Sequence, residues 1–469
     1  MKRSAGLAAL AVATVAGLAP ATALSPQRAL ASAAAQTPAS ASVPGGTQLW
    51  AANFHGNAQR SLALAVAASP DGATVYVTGL TGLAHFSTLA YNAATGAARW
   101  TATFYGRGYS QPTAMAVSPD GSKLFVTGFT TPPGACCADQ FVTVAYDAAT
   151  GARLWAHETF NIFHVGSIAT AIAVSPDGSS VFVAGDAGKN PVLVSYDATT
   201  GVQRWLSRYQ VPLGAPGTAE GIAVSPDGSV AFLTGSFKEP PNGPQFATVA
   251  YNAATGAQLW AQTTKGSTGS RDVAVSPDGS AVLVSGTVSK LSGGSAFTTT
   301  AYTLATGAPL WTRRFNGRNP DNVPNAVTIS PDGSRLFVTG QSSSSTALDI
   351  ATVAYATASG ATLWSQHLSA GQVQFSPIGG VAVGTSPDGA LVFVTGGTHG
   401  STRVSENFIT IAYRTGTGQT AWQARYKGPR DFAAPTSLAV SPTGQGVFVT
   451  GSIGVHDGCC NFGTVAYQP

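Results

Sequence analysis

Charged residues are scarce in this sequence. Asp, Glu, Lys and Arg make up 9% of its 469 residues, whereas about a quarter is usual for soluble domains. Disordered chains combine high charge with few apolar residues, so a composition with 44% hydrophobic residues excludes that class. The chain has 24 basic and 20 acidic residues and no basic stripe. Since nucleic-acid binding needs clustered basic groups to neutralise phosphates, we expect no nucleic-acid partner.

Long hydrophobic runs are also missing, except near the start. Two basic residues follow the initial Met and precede an apolar stretch over residues 5–24. Small-residue Ala-x-Ala sites then end at Ala23 and Ala31. This layout is typical of a secretory signal peptide, which we expect over residues 1–31. An uncleaved membrane anchor is the alternative, and Pro20 argues against it.

The predicted signal peptide indicates the localisation of the mature protein. Residues 32–46 are rich in Ala, Ser, Pro and Thr and are expected to form a linker. The remainder, residues 47–469, is expected to be secreted or extracytoplasmic, without stable membrane insertion after signal cleavage, and monomeric.

Common catalytic motifs are absent from the sequence. It contains no Gly-x-Ser-x-Gly, no Walker loop and no His-Glu-x-x-His. Its seven histidines are scattered, and no two of them have metal-ligand spacing on one strand. No catalytic constellation is therefore evident.

What the sequence does contain is one unit repeated eight times. A Ser-Pro-Asp-Gly tetrapeptide occurs seven times and a Ser-Pro-Thr-Gly variant once, at spacings of 49 to 57 residues. The first seven are each followed by Tyr, a short turn, Gly and then Trp, and all eight tryptophans occupy this register. The tetrapeptides begin at Ser69, Ser118, Ser175, Ser225, Ser276, Ser330, Ser386 and Ser441. Such periods are typical of propeller blades.

Each unit is predicted to contain four strands. In the second unit they are expected over residues 113–117, 123–128, 140–146 and 152–160, with Ser-Pro-Asp-Gly forming a tight turn between the first two. Because the sequence begins with the last strand of a unit and ends with the third, the two ends together make one blade. We therefore predict an all-β, eight-bladed β-propeller with four antiparallel strands per blade and a composite last blade closed by both termini. An open solenoid is the alternative, but it would be expected to carry capping repeats.

The segment Ala145-x-Asp147-x-x-Thr150-Gly151-x-x-x-Trp155 resembles the tryptophan-docking repeat of pyrroloquinoline-quinone (PQQ) dehydrogenases, which are periplasmic eight-bladed propellers. The resemblance covers the whole repeat region, although three units lose the Asp position. It implies the fold, since the motif is a packing device. As an alternative function it implies a PQQ- and Ca²⁺-dependent oxidation of alcohols or sugars.

Polar residues mark the entrances of three adjacent innermost strands, where we expect the channel mouth. They are Glu220, Arg271 with Asp272, and Asn325, which we take as candidate ligand-binding residues. The other units have Leu64, Thr113, Thr170, Val381 and Thr436 there. Glu220, Asp272 and Asn325 could hold Ca²⁺, which prefers oxygen ligands. The alternative is a structural salt bridge from Arg271 to Glu220 or Asp272.

The four cysteines form two adjacent pairs, Cys136-Cys137 and Cys459-Cys460, each just before the third strand of a unit. Thiols of an exported protein are expected to be oxidised, and we predict a vicinal disulfide within each pair. Cross-blade bridges would need the Cα atoms within about 7 Å. The sequence alone leaves all three connectivities open.

Together these features favour a secreted propeller that acts as a ligand-binding or interaction module without catalysis. With four strands per blade, the longer loops share one rim, which we call the loop rim, and the tight turns share the other, the turn rim. The expected partner is a small molecule, a glycan or a protein bound on the loop rim. The PQQ- and Ca²⁺-dependent oxidoreductase remains the alternative.

Overall fold

Eight four-stranded antiparallel sheets make up the protein in its computed structural model. The structure describes residues 43–56, 61–82, 85–134, 139–159, 166–188, 190–211, 216–239, 243–344, 348–371, 380–399, 406–429, 432–454 and 460–469. The predicted signal peptide and all but the last four residues of the predicted linker lie outside these ranges. Each sheet is one propeller blade, and we number the blades one to eight from the blade that begins at Ser61.

The strands are numbered β1 to β32 in sequence order. The innermost are β2 (Ser61–Ala68), β6 (Tyr109–Val117), β10 (Ser167–Val174), β14 (Gly217–Val224), β18 (Ser267–Val275), β22 (Asp321–Ile329), β26 (Gly380–Thr385) and β30 (Ala433–Val440). The second are β3 (Thr74–Thr81), β7 (Lys123–Thr131), β11 (Ser180–Ala187), β15 (Val230–Glu239), β19 (Ala281–Ser289), β23 (Arg335–Ser343), β27 (Leu391–His399) and β31 (Val447–Ile453). The third are β4 (His85–Asn92), β8 (Gln140–Asp147), β12 (Asn190–Asp197), β16 (Gly243–Asn252), β20 (Ser295–Thr303), β24 (Leu348–Ala356), β28 (Glu406–Arg414) and β32 (Asn461–Tyr467). The outermost are β5 (Ala98–Phe104), β9 (Arg153–Thr159), β13 (Gln203–Arg208), β17 (Gln258–Lys265), β21 (Pro309–Phe315), β25 (Thr362–Gly371), β29 (Thr420–Tyr426) and β1 (Gln48–Phe54).

Both ends of the protein close the ring, as the sequence predicts. Blade eight has the strand order β1-β32-β31-β30, so the first and last strands are neighbours in one sheet. Gly46 N donates to Gln468 O at 2.8 Å, and Gln468 N donates to Thr47 O at 2.9 Å. Each innermost strand also contacts the innermost strands of both adjacent blades, including β30 with β2. The eight-bladed propeller with a composite last blade is therefore confirmed.

The Ser-Pro-Asp-Gly turns are held by their own side chains. In blade two, Ser118 Oγ donates to Asp120 Oδ1, and Asp120 Oδ1 also accepts the Ser122 N–H at 3.0 Å. These hydrogen bonds, that from Ser118 above all, lower the pKa of Asp120 to about 2. Gly121 has a φ of +71°, in the region that favours glycine. The aspartates of these turns therefore have a structural role.

Every tryptophan packs against the glycine turn of the next blade. In seven blades its indole N–H donates to a backbone carbonyl of that turn, at 2.8 to 3.2 Å. Trp311 is typical, because its Nε1 donates to Thr357 O at 2.8 Å and its ring covers Gly360. The repeat is thus a packing device that links adjacent blades.

Candidate binding site on the innermost strands

A β-bulge interrupts all eight innermost strands at the same register, and a bulge re-aims the side chain that it carries. The bulged residues are Leu64, Thr113, Thr170, Glu220, Arg271, Asn325, Val381 and Thr436. The sequence-predicted residues Glu220, Arg271 and Asn325 therefore lie at equivalent positions of blades four, five and six, and all three are half-buried.

The sequence suggested that these residues lie at the strand entrances, but the structure places them further along the strands. Glu220 is three residues into β14, and Arg271 and Asn325 are each four residues into their strands. At about 3.3 Å per residue, they lie about 10–13 Å along the strand from its loop-rim end. The innermost strands begin closer to the loop rim than the sequence pattern predicted. At the bulge the alternation of residue types breaks, but strand pairing continues beyond it.

Asp272 connects blade five to blade six. Its side chain is 8% exposed; one carboxylate oxygen accepts the Val273 N–H at 2.8 Å, and the other accepts the Val327 N–H of the next blade at 2.9 Å. Ser437 holds the corresponding position in blade eight, where its Oγ accepts the Val66 N–H at 3.4 Å. Asp272 thus fixes the backbone beside Asn325.

Asp186 makes a similar connection that the sequence analysis did not include among the site residues. It lies on β11 of blade three, and its Oδ1 accepts the N–H of Ala219 in blade four at 2.6 Å. This places it within electrostatic range of Glu220, the next residue along. The sequence did contain a signal that could have identified Asp186. It is the one acidic residue at its position in the repeat, because the equivalent residues of the other seven blades are not acidic. They are Leu80, Phe129, Ser236, Thr287, Gln341, Gly397 and Ser452.

Blades four and five meet between the Asp186 connection, which joins blades three and four, and the Asp272 connection, which joins blades five and six. A Cβ at Gly221 would lie 3.3 Å from the Asp272 Cα, so the innermost strands are in direct contact there. We call Asp186, Glu220, Arg271, Asp272 and Asn325 the polar arc. It occupies the side of the ring formed by blades three to six, whereas the bulges of blades seven, eight, one and two carry Val, Thr, Leu and Thr.

Burial raises the pKa of all three carboxyl groups in the polar arc. It raises the pKa of Asp186 to about 7, against the Ala219 hydrogen bond, and the negative charge of Glu220 adds to the increase. It raises the pKa of Asp272 to about 7, although two backbone N–H groups oppose this. Burial also raises the pKa of Glu220, against the positive charge of Arg271 and a hydrogen bond from Thr218.

These shifts predict that ionisation of the polar arc weakens the fold as pH rises. An Asp186 pKa of about 7, against about 3.9 when unfolded, gives stability that is full below about pH 4 and lost as pH rises through about 7. The amide introduced by Asp186→Asn can still accept the Ala219 N–H, but it does not titrate. We expect this substitution to reduce the loss of unfolding free energy between about pH 4 and pH 8 by on the order of 3 kcal/mol.

Urea unfolding across this pH range measures the effect. Asp321→Asn is the control, because Asp321 is exposed on the same rim. Parallel stability curves for wild-type protein and Asp186→Asn would show that burial does not perturb this carboxyl.

The predicted Ca²⁺ site stays a prediction, and two observations weigh against it. Both oxygens of Asp272 already accept backbone N–H groups. In ring order, Arg271 stands between Glu220 and Asn325, and its positive charge would oppose a cation held by its neighbours. The residues present therefore do not fit a Ca²⁺-bound quinone.

Among the described residues, the alternative salt bridge from Arg271 to Glu220 or Asp272 is not formed. The ion pairs of the described residues are Arg107–Glu158, Arg204–Asp197 and Arg335–Asp332. Arg271 thus has no carboxylate oxygen within 4.0 Å in the described part of the protein, and it acts on Glu220 from a longer distance.

Three of the four cysteines, Cys136, Cys137 and Cys459, lie outside the described residues. Cys460 directly precedes β32, and its carbonyl accepts the Ser61 N–H of blade one at 2.6 Å. In blade two, the residue equivalent to Cys460 is Asp139, whose carbonyl accepts the Ser167 N–H at 2.7 Å. Both cysteine pairs precede a third strand in the sequence, and the vicinal disulfides remain predictions.

Solved structures with this architecture serve different functions. The Dos1 propeller has a TM-score of 0.55 at 14% identity, over 90% of this chain and 95% of that one. Sqt1 of Chaetomium thermophilum, bound to the N-terminus of ribosomal protein L10, has a TM-score of 0.57 at 15% identity, over 89% and 98%. The dihydro-heme d1 dehydrogenase NirN, in complex with DHE, has a TM-score of 0.50 at 14% identity, over 88% and 75%. At these identities the likeness shows the fold alone.

Sequence comparison identifies the family. No curated protein sequence matches significantly. Within the described residues, no helix is long and apolar enough to cross a bilayer. A family model described as outer membrane protein assembly factor BamB matches residues 138–238 and 245–433, which is more than half of the protein. The chain therefore belongs to this family of PQQ-like propeller repeats.

Proposed function

We propose that the protein is a non-catalytic interaction propeller that binds a segment of a partner protein from its loop rim. The polar arc carries this proposal, because it makes one side of an otherwise repetitive ring chemically distinct. Its bulged residues are half-buried and so remain accessible to solvent. The site lies about 10–13 Å along the innermost strands, a distance that a side chain or a peptide terminus can reach from the loop rim.

Two further observations support binding rather than catalysis. Asp186 and Asp272 accept hydrogen bonds from backbone N–H groups of the adjacent blades. These hydrogen bonds hold the strands of adjacent blades in position. The Sqt1 structure contains a propeller bound to the N-terminus of another protein, which makes a peptide ligand a reasonable choice for this fold.

Peptide display selection tests the proposal. Immobilised wild-type protein is used for selection, and Glu220→Gln/Arg271→Gln is used for counter-selection. Arg204→Gln is the control, because Arg204 lies near the turn rim and pairs with Asp197 at 2.8 Å. We expect selected peptides to bind wild type and Arg204→Gln alike, and to bind the double variant at least about tenfold more weakly, since charge-assisted contacts are lost. Selection that yields only peptides insensitive to the double variant would refute the proposal.

The oxidoreductase alternative is tested on the same protein. Purified protein is given PQQ and Ca²⁺ and assayed for dye-linked oxidation of alcohols and sugars. We expect neither a bound-quinone absorbance nor oxidation, because the polar arc lacks a fitting Ca²⁺ cradle. Turnover that is lost in Glu220→Gln would establish the alternative instead.

The proposed site of action is outside the cytoplasm. The support is the N-terminal sequence, with its basic start, apolar stretch and small-residue exits. We propose that the small molecule and glycan partners are secondary to protein partners, and that the mature protein is a monomer. Mass spectrometry of the exported protein should give a new N-terminus after Ala23 or Ala31, whereas an intact N-terminus in the membrane fraction would show an anchor.

A further inference from the structure

Arg271 is the group of the polar arc whose hydrogen bonding is unmet. Its Nε atom is buried and has no hydrogen-bond partner, and no carboxylate lies within 4.0 Å in the described part of the protein. Each carboxyl group nearby does have a donor. Asp186 accepts from Ala219, Glu220 accepts from Thr218 Oγ1 at 3.1 Å, and Asp272 accepts from two N–H groups.

The guanidinium group of Arg271 has donors without acceptors, and the chemistry of arginine indicates which partner would satisfy them. Arginine has five N–H donors in a planar fork and no acceptor, and it stays protonated in proteins. Leaving a buried donor unsatisfied costs free energy, and more so when the group is charged. A carboxylate satisfies the fork best, because two parallel N–H···O bonds form at once.

The strands around Arg271 hold it in place for such a partner. Val273, two residues on, is buried and belongs to the hydrophobic cluster between blades four and five. Asp272 is tied to blade six on one side, and Gly221 of blade four contacts its backbone on the other. The backbone that carries the guanidinium is therefore fixed before any ligand arrives, which reduces the entropy lost on binding.

We infer that the partner segment presents a carboxylate, which the two terminal nitrogens of the Arg271 guanidinium bind through a two-point hydrogen-bonded pair. This inference rests on the proposed binding function. The carboxylate can belong to the C-terminus of a peptide or to an Asp or Glu side chain, since both have the same planar acceptor.

The neighbouring acids make this binding depend on pH. Glu220 faces Arg271 from blade four, Asp186 faces Glu220 from blade three, and Asp272 is adjacent along β18. Burial raises the pKa of each of the three. The pKa values of Asp186 and Asp272 rise to about 7, so these two carboxyl groups lose their protons as pH rises through neutrality. Once ionised, they compete for the guanidinium and repel the ligand carboxylate, so affinity is expected to fall with rising pH.

Matched short peptides and the Arg271 Nε–H resonance in ¹H–¹⁵N NMR test the inference. The probes are acetyl-Gly-Gly as acid and as amide, and acetyl-Gly-Glu-Gly amide beside its Gln and Lys counterparts. Arg271→Lys identifies the resonance by its loss. We expect at least one acid probe to shift this resonance and to bind at least about tenfold more tightly than its neutral counterpart. Which acid binds distinguishes a C-terminus from a side chain.

Three variants of the polar arc and one control variant sharpen the result. Arg271→Gln should lose the preference for the acid probe. Arg271→Lys should keep only part of it, because a point charge lacks the fork. Glu220→Gln should bind the acid more tightly, with a shallower pH dependence than wild type. Arg204→Gln should behave as wild type.

The outcomes separate this inference from the proposed function. If display-selected peptides require the polar arc but acid and neutral probes bind equally, the carboxylate inference is wrong and the binding function stands. Tighter binding of the Lys probe would also overturn the inference, since the acids rather than Arg271 would then recognise the ligand. If selected peptides ignore the polar arc, both proposals fail.

Discussion

Replacing Trp311 with alanine is expected to lower the free energy of unfolding by about 3–5 kcal/mol, the range typical for loss of a buried Trp. The side chain is 7% exposed. Its ring lies 6.1 Å from that of Tyr355 in the next blade, and its Nε1 donates to Thr357 O at 2.8 Å. The substitution therefore removes both a packing contact and a hydrogen bond between blades five and six.

Denaturant unfolding measures this loss, and the neighbouring residue provides the control. Leu310 is on the same strand but 49% exposed, so Leu310→Ala should change stability by less than about 0.5 kcal/mol. Equal, small effects of both substitutions would contradict the docking role of the tryptophan.

Gly360→Ala is expected to destabilise the protein by about 2–4 kcal/mol, from two separate causes. Gly360 has a φ of +67°, which an L-residue with a Cβ adopts at a cost. A Cβ there would also lie 2.5 Å from Trp311 Cδ2, so the indole would have to move.

A second glycine separates these causes. Gly266 has a φ of +69°, but a Cβ there would meet nothing within 4 Å. Gly266→Ala should therefore cost only the backbone strain, about 1–2 kcal/mol. The difference between the two variants in denaturant unfolding measures the indole contact. Equal losses would show that the turn glycines serve backbone conformation alone.

The repeat was sufficient to predict the fold, because its signals are local. Ser-Pro-Asp-Gly forms its turn through hydrogen bonds within a few residues, and the Trp register fixes the fourth strand. The third strand of blade two, predicted over 140–146, is observed as Gln140–Asp147. The first strand, predicted from residue 113, begins at Tyr109 instead. The bulge at Thr113 breaks the alternation of side chains, and residues beyond it no longer follow the pattern of a strand.

The candidate site was predicted only in part, for a similar reason. Counting back from each turn identified Glu220, Arg271 and Asn325 as equivalent, and the structure confirms this equivalence. Asp186 was missed because it lies on a second strand and meets Glu220 across a blade interface, which the spacing of residues along the sequence does not reveal. Asp272 was predicted as a metal ligand, but one of its two hydrogen bonds to backbone, from the Val327 N–H, depends on the contact of β18 with β22.

The most direct test of the central claim, that the polar arc is the binding surface, is hydrogen–deuterium exchange with a display-selected peptide bound. We expect slower exchange in β14 (Gly217–Val224), β18 (Ser267–Val275) and β22 (Asp321–Ile329), and no change in β26 (Gly380–Thr385) or β30 (Ala433–Val440). The Arg204→Gln protein should give the same footprint. Protection confined to the Ser-Pro-Asp-Gly turns, or to blades seven and eight, would contradict the claim.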